Sequence, residues 1–291
     1  MVVLRQANDA DRAIITEISK HYDSNLVRLV YTSWQQQGHM YMAELEGKTI
    51  GFCCLAFPAP TEAQILGIRL LPEFRKESIG QRFVIALIQA AQERGCNIVR
   101  TLTSSENWET QAALQRNLGF QRGGTWVIGH QERLRSKINT GAVIQPSSPD
   151  RLEDIWQFLQ YSSTYRLNEG LIFSGGYFFR SFSKAYLAQL LQHGQVFASL
   201  EREMITGVAV SHCEGETLVI SYVDANPSSI LDLLQGMLGC ALCNCRQLTT
   251  AIPSVCYQSV RPFLEQIVEK HLPDKWLVME KEVSPLALPR D

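Results

Sequence analysis

The sequence predicts an α+β protein built from two halves of similar design. Strand-like and helix-like segments alternate along all 291 residues. Their order recurs: "VVLRQANDADRAIITEI" returns as "AVIQPSSPDRLEDIWQFL", and "AELEGKTIGFCCL" returns as "ASLEREMITGVAV". A repeated order of unlike elements indicates a duplication. We therefore expect two domains, residues 1–136 and 141–291, each of an ordinary domain size.

Composition and charge narrow the class of protein. Net charge is −2 and 45% of residues are hydrophobic, which favours a globular chain without the basic field that nucleic acid or anionic membrane attracts. No apolar run approaches the ~18 residues of a membrane span, and the start "MVVLRQANDAD" lacks a signal-peptide core. We expect a cytoplasmic protein, without a nucleic-acid or membrane partner; an oligomer stays open.

The cysteines predict neither disulfides nor a metal site. Most of the 8 lie in apolar stretches such as "GFCCLAF", and we interpret them as reduced core residues. Cys240, Cys243 and Cys245 in "GCALCNC" come closest to a metal motif. No second ligand pair of matching spacing follows them. We therefore expect a helix interior there, and no metal.

The elements of the first half follow from local signals. Strand "VVLRQA" precedes a helix that Asn8 or Asp9 can cap, and helix "SNLVRLVYTSWQQQG" closes at Gly38. A hairpin about "EGK" and the strand "EAQILGIRLL" come next. An amphipathic helix then ends at Gly95. The last elements are a strand, a helix and a hairpin: "NIVRTLT", "WETQAALQRNL" and "GFQRGGTWVIG".

The second half repeats this order and adds an insert. The insert is "YSSTYRLNEGLIFSGGYFFRSFSKAYLAQLLQHG", which is rich in aromatic residues. The favoured interpretation is a helical hairpin that covers the second sheet. Alternatively, its aromatics with Arg166 and Arg180 line a pocket for an acceptor against the first half.

The stretch "RLLPEFRKESIGQRF" combines a strand end with a helix start. A helix N-terminus presents unpaired N–H groups and a positive dipole end, which suit a phosphate. Arg75 and Lys76 add positive charge, Glu77 removes some, and Gly80 would let an anion approach the backbone. The alternative is purely structural, because Ser78 and Gln81 match the S-x-x-Q capping box.

This stretch resembles the acyl-coenzyme-A loop of the GCN5-related N-acetyltransferase (GNAT) family. That loop reads Arg/Gln-x-x-Gly-x-Gly/Ala after an apolar-x-Pro strand end. Here the strand ends Leu70-Leu71-Pro72 and the loop runs from Arg75 to Gly80. Ser78 replaces the first glycine. "NLGF" (117–120) and the element order of residues 1–135 are also similar to the family. The resemblance implies tandem GNAT-like domains, each with a mixed, mostly antiparallel sheet flanked by helices.

The resemblance also implies ligand contacts. Backbone groups of Leu70 and Leu71 on a splayed strand would bind the pantetheine arm and polarise the thioester carbonyl. Amides from about Glu77 to Gln81 would hold the pyrophosphate, and Asn107 would contact the pantetheine. The expected acetyl-coenzyme-A-binding residues are Leu70, Leu71, Arg75, Lys76, Glu77, Ser78, Ile79, Gly80, Gln81 and Asn107.

The sequence departs from the family at the positions of the catalytic residues. Gln115 stands where a tyrosine acid is usual, and glutamine has no proton to give at neutral pH. Gln64 stands where some members have a carboxylate; Glu62, on the same strand face, could act instead, directly or through water. The alternative is a solvated strand-start glutamate.

His21 and Tyr22 lie near the family's acceptor site. Cys53, Cys54, Trp34 and Trp108 are interpreted as packing residues.

The resulting hypothesis is an N-acetyltransferase. It would transfer an acetyl group directly from acetyl-coenzyme A to an amine of a small molecule or peptide. The alternative is a non-catalytic acyl-coenzyme-A-binding or partner-binding module. In the second half, the matching stretch "SYVDANPSSILDLLQ" has no preceding cation, and Asp224 would repel a pyrophosphate. Asn226 and Pro227 only begin a helix there. We expect this half to keep the fold without the cofactor.

Overall fold

A computed structural model describes residues 2–22, 33–131, 144–241, 245–268 and 274–284. The chain divides into two compact units. The first comprises residues 1–103, 107–122 and 279–291, and the second comprises 104–106 and 123–278. These units are discontinuous in sequence, whereas the domains predicted above are continuous. We retain the boundaries 1–136 and 141–291 as a proposal about the duplicated segments.

The described strands from the N-terminal part of the first unit lie in sequence order in the sheet, and helices connect some of them. Its strands are β1 (Val2–Gln6), β2 (Met40–Leu45), β3 (Lys48–Ala59), β4 (Glu62–Leu70) and β5 (Ile98–Ser104). Its helices are α1 (Arg12–Ser19), α2 (Glu77–Glu93) and α3 (Trp108–Leu118). Strands β1 to β4 pair antiparallel, and β4 pairs parallel with β5. Most of the second predicted helix, residues 23–32, lies outside the described residues.

Local chemistry accounts for these elements. Asn8 caps the first turn before α1 in a capping box with Asp11, as predicted. Glu46 and Gly47 have φ of +53° and +75°, which fits a tight β2–β3 hairpin. Phe83 and Leu87 are fully buried on the inner face of α2, and Gly95 follows the helix at φ +81°.

The second unit repeats this arrangement. Its strands are β6 (Gln121–Gln131), β7 (Leu171–Phe173), β8 (Phe179–Ser181), β9 (Val196–Glu201), β10 (Met204–Glu214), β11 (Thr217–Ala225), β12 (Gln247–Pro253) and β13 (Asp274–Glu282). Its helices are α4 (Leu152–Tyr161), α5 (Ser163–Leu167), α6 (Lys184–Gln192), α7 (Ile230–Ala241) and α8 (Tyr257–Ile267). The main sheet runs β6-β12-β11-β10-β9. Helices α7 and α8 pack on it through buried Leu234, Met237 and Phe263.

The predicted hairpin at "GFQRGGTWVIG" is wrong. Residues 121–131 form the single strand β6, whose antiparallel partner is β12. Gly123 sits where a Cβ would come within 3.1 Å of the Val278 carbonyl oxygen. The glycine there serves close approach of two strands and makes no turn.

The last strand contributes to both units. Its end, Met279 onward, belongs to the first unit, where Glu280 contacts Arg100 and the Val283 amide donates to the Asn97 carbonyl at 2.8 Å. Its earlier part belongs to the second unit. In the first unit the strand beside β5 is therefore supplied by the far end of the sequence.

The insert is also not a helical hairpin. It folds as α5, a two-stranded β7–β8 hairpin and α6. Gly175, Gly176 and Tyr177 all have positive φ and form the β7–β8 turn. Among the described helices, none is both long enough and apolar enough to cross a membrane.

Candidate functional site

Strands β4 and β5 pair over only part of their length. Their parallel register joins Glu62–Ile65 to Ile98–Thr101, although β4 continues to Leu70. Gly67 has φ +60°, and the β3–β4 register shifts near this point, as in a bulge that bends a strand away from its neighbour. The splayed strand that the resemblance implied is therefore present beyond Leu66.

Helix α2 begins beside this opening, two residues earlier than a capping box at Ser78 would require. Lys76 is its N-cap and makes no side-chain capping bond. Ser78 lies inside the helix, so the capping-box interpretation of Ser78 and Gln81 is wrong. The amides of Ile79 and Gly80 donate to the Lys76 carbonyl at 2.9 and 3.1 Å. Those of Glu77 and Ser78, in the first turn, have no intrahelical acceptor by helix geometry.

Gly80 faces open space. A Cβ built on it would meet nothing within 4 Å, and its φ is not in the left-handed region. The fold therefore does not require glycine, which costs about 1 kcal/mol relative to alanine inside a helix. Space beside the first turn of a helix is what an approaching phosphate needs.

Three side chains form a cationic cluster at the same place. The guanidinium groups of Arg69 and Arg75 lie 4.5 and 4.2 Å from the centroid of the Tyr22 ring. Burial lowers the pKa of Arg69, and the charge of Arg75 lowers it further; an arginine still stays protonated. Two neighbouring cations that share one ring create a positive potential that favours an anion.

The backbone of Leu70 contacts the same tyrosine. The Leu70 amide donates to the Tyr22 hydroxyl at 2.8 Å, and this hydroxyl donates to the Leu70 carbonyl at 3.0 Å. Arg75 Nε also donates to that carbonyl at 3.3 Å. The Leu71 amide instead donates to the Ile50 carbonyl, on the β3 side. Of Leu70 and Leu71, Leu70 is thus the residue whose polar backbone groups point away from β3.

Glu62 lies in a buried ion cluster. Arg100, 1% exposed, donates to Glu62 and to Glu280 at 2.6 Å each. The Glu62 side chain is 8% exposed, so it is not the solvated glutamate of the alternative interpretation. The Glu62 carboxylate is thus held by a buried cation on a neighbouring strand. A catalytic role for Glu62 stays a prediction. Its ion pair with Arg100 is a structural role for the same residue.

The remaining predicted residues lie on α3. The Asn107 side chain caps this helix by accepting from the Thr110 amide at 3.1 Å. Gln115 is exposed on the same helix. Trp108 is 68% exposed, so its interpretation as a packing residue is wrong, whereas Trp34, Cys53 and Cys54 are buried as predicted.

Sequence reasoning missed Arg69. Arg69 lies in a strand of period 2, between the partly buried Ile68 and the buried Leu70. A charged residue at this position of the strand pattern was the signal that could have identified it. For Tyr22, the sequence suggests only a place near the acceptor. Its contact with Leu70, 48 residues away, leaves no local pattern.

The second unit fills the corresponding opening with side chains. Its parallel pair also stops early, at Ile220–Thr250. Beyond it, fully buried Tyr222 contacts Phe182 at 5.2 Å and Trp126 at 6.3 Å between ring centroids. Asp224 accepts from Ser162 and from the Tyr222 hydroxyl, the latter at 3.2 Å. This packing favours a unit without a cofactor, which stays a prediction.

A separate cavity of about 560 Å³ lies on the insert. Trp156, Tyr165 and Arg166 are among its lining residues. Arg180, predicted to line such a pocket with Arg166, instead stacks on Tyr186 at 3.7 Å.

Comparisons with known proteins find acetyltransferases that are similar to this chain. Residues 10–120 match the model of the acetyltransferase (GNAT) family. Over 103 residues the chain is 31% identical to an uncharacterised N-acetyltransferase of Chlorobaculum tepidum, covering 34% of this chain and 66% of that protein. The match therefore spans just under two thirds of that relative.

Two solved structures resemble both halves together. A putative acetyltransferase from Thermoplasma acidophilum has a TM-score of 0.54 at 12% identity and covers 97% of this chain and 100% of its own. A GCN5-related N-acetyltransferase from Sphaerobacter thermophilus has 0.55 at 12%, covering 97% and 95%. The fold is thus the α+β acetyltransferase fold, repeated in tandem. Through its first half, at residues 10–120, the chain is similar to the GNAT family of acetyltransferases.

Proposed function

We propose that the protein is an N-acetyltransferase that takes an acetyl group from acetyl-coenzyme A and transfers it directly to an amine of a small molecule or peptide. The observation that carries the proposal is the start of α2, where an uncapped first turn, an open Gly80 and two arginines converge beside a splayed strand. The family relationship supports it.

Each part of the site has a physical task in this proposal. The amides of Glu77 and Ser78, with the helix dipole, attract the pyrophosphate, and Gly80 leaves it room. Arg69, Arg75 and Lys76 supply the countercharge. The polar backbone groups of Leu70 match the amides of the pantetheine arm, as a neighbouring strand would.

The chemistry is one substitution at the thioester carbon. The neutral amine forms the new C–N bond, the C–S bond breaks, and the amine proton leaves for solvent or a base as the thiolate departs. An alkylammonium has a pKa near ~10, so the acceptor must first lose a proton. An amide donor near the thioester oxygen would stabilise the oxyanion.

Isothermal titration with acetyl-coenzyme A tests the proposal. We expect micromolar binding by the native chain and loss of binding in Gly80→Asp, because a carboxylate would repel the pyrophosphate from the helix start. Gln89→Glu is the matched control, since it adds the same charge to an exposed position of the same helix. No binding by the native chain at high micromolar concentration would refute the proposal.

The engagement of Glu62 by Arg100 favours a second candidate, a module that binds acyl-coenzyme A without turnover. An assay of thiol release from acetyl-coenzyme A with a broad set of amines distinguishes the N-acetyltransferase from the binding module. Release above the uncatalysed rate that disappears in Gly80→Asp excludes the module. Tight binding with no release for any amine favours it.

A further inference from the structure

Two cysteines of the second unit lie with their sulfur atoms side by side. Cys245 Sγ and Cys213 Sγ are 3.1 Å apart, in a thiol–thiol contact between residues 32 apart in sequence. Cys213 is exposed and Cys245 is partly exposed, so solvent reaches both side chains. The sequence had suggested a helix interior for Cys245, but this residue lies beyond the end of α7.

Secondary structure fixes both residues at one end of the sheet. Cys213 lies in β10 and pairs with Leu218 of β11. Cys245 precedes β12, where the amides of Arg246 and Gln247 both donate to the Glu216 carbonyl, at 2.8 and 3.0 Å. Glu216 belongs to the short β10–β11 turn, so the same turn positions both cysteine-bearing segments.

The other described thiols provide a contrast. Cys53, Cys54 and Cys96 are fully buried, and burial raises the pKa of each thiol. Cys256 is 7% exposed with a pKa raised to about 11. A soluble oxidant needs an accessible thiol that can form a thiolate. Among the described cysteines, Cys213 and Cys245 combine access with an adjacent thiol.

We propose that Cys213 and Cys245 form a reversible redox pair that closes to an intramolecular disulfide with a low-molecular-weight disulfide such as oxidised glutathione. One thiolate attacks the glutathione disulfide, giving a mixed disulfide and one glutathione thiolate. The second cysteine attacks its sulfur and releases the second glutathione. The protein loses two protons and two electrons, and one glutathione disulfide takes them up and becomes two thiols.

The sulfurs must approach from 3.1 Å to the ~2.05 Å of a disulfide. This takes about 1 Å of movement, which side-chain rotation can supply. The bond would join the end of β10 to the segment before β12 and enclose β11 and α7 in one covalent loop.

The full-length protein tests the proposal after equilibration with oxidised glutathione, alkylation and digestion at glutamate and at arginine. We expect the peptide Met204–Glu214 to be linked to Thr217–Arg246 and the intact protein to lose two alkylatable thiols. Cys213→Ser and Cys245→Ser should each abolish the link. Cys240→Ser/Cys243→Ser should retain it, which assigns the bond to Cys245 within the larger peptide.

Several outcomes would overturn the proposal. Quantitative alkylation of both thiols after oxidation would do so, as would a mixed disulfide with glutathione on Cys213 that never resolves. A link that survives in Cys245→Ser but disappears in Cys240→Ser/Cys243→Ser would assign the bond to another cysteine. Reduction with excess dithiothreitol should restore both thiols.

Discussion

The Tyr22 hydroxyl and the Leu70 backbone form a closed pair of hydrogen bonds. The amide donates to the hydroxyl at 2.8 Å and the hydroxyl donates to the carbonyl at 3.0 Å. These are the backbone groups that we assign to the pantetheine arm. Under the proposed function, Tyr22 and acetyl-coenzyme A would compete for Leu70, and binding would require the hydroxyl to leave.

Removing this hydroxyl should tighten binding. Tyr22→Phe keeps the ring that Arg69 and Arg75 contact but removes the hydroxyl from the Leu70 amide and carbonyl, and the carbonyl still accepts from Arg75 Nε. A neutral hydrogen bond contributes about 1 kcal/mol net, so we expect coenzyme A to bind roughly fivefold more tightly, measured by titration calorimetry. Tyr41→Phe, which removes a hydroxyl bonded to Arg94 in the same unit, should leave affinity unchanged. Weaker binding by Tyr22→Phe would show that the hydroxyl assists the ligand.

Gly80 should separate helix stability from ligand binding. Gly80→Ala fits the open space and should raise the unfolding free energy by roughly 0.5–1 kcal/mol through helix propensity. The same methyl group should weaken coenzyme A binding if a phosphate contacts the first turn. Urea denaturation and calorimetry on one sample give both quantities. A variant that is more stable and binds as the native chain does would remove Gly80 from the site.

The buried ion cluster predicts a large stability effect. Arg100→Met leaves Glu62 buried without this cation and should lower the unfolding free energy by about 3–5 kcal/mol. Adding Glu62→Leu should recover part of the loss, because it removes the buried negative charge that Arg100 had balanced. Urea denaturation of the two variants and of Glu62→Leu alone completes the cycle. A double variant less stable than the sum of the single effects would contradict this account.

Two carboxyl groups should give opposite pH dependences. Arg5 holds the pKa of Asp11 below its ordinary value through paired hydrogen bonds, whereas burial raises the pKa of Asp224. Asp11 therefore stabilises the fold above the unfolded pKa of ~3.9 and loses this contribution as pH falls through the folded pKa. The contribution of Asp224 is complete below ~3.9 and is lost as pH rises through its higher folded pKa.

Asparagine variants measure this difference. From pH 3 upward, the stability gap between the native chain and Asp11→Asn should widen, and the gap to Asp224→Asn should shrink or reverse. Chemical denaturation at several pH values gives both gaps. Gaps that change in the same direction would contradict the assigned environments.

The fold was predictable where the signal is local. The period of 3.6 predicted α2, and Glu46–Gly47 marked the β2–β3 turn. The capping box failed because S-x-x-Q also occurs inside helices, and here Ser78 is the second helical residue. Strand β6 was missed because Gly123 meets Val278, which only the folded chain brings near.

In the candidate site, too, residues of a local motif were predictable and contacts between distant residues were not. The motif pointed to Arg75, Gly80 and Leu70, all of which lie at the opening. No local pattern joins Tyr22 to Leu70 or Arg100 to Glu280, because each pair is brought together by a strand from elsewhere in the chain.

The position of Glu280 beside Arg100 has a consequence for synthesis. A ribosome emits β5 early and must translate residues 105–278 before the strand that flanks it exists. At roughly 5–20 residues per second, the edge of β5 waits on the order of 10–30 s. An unpaired strand edge invites pairing with other chains. The protein should therefore need a chaperone most during the time between the synthesis of β5 and the synthesis of the last strand.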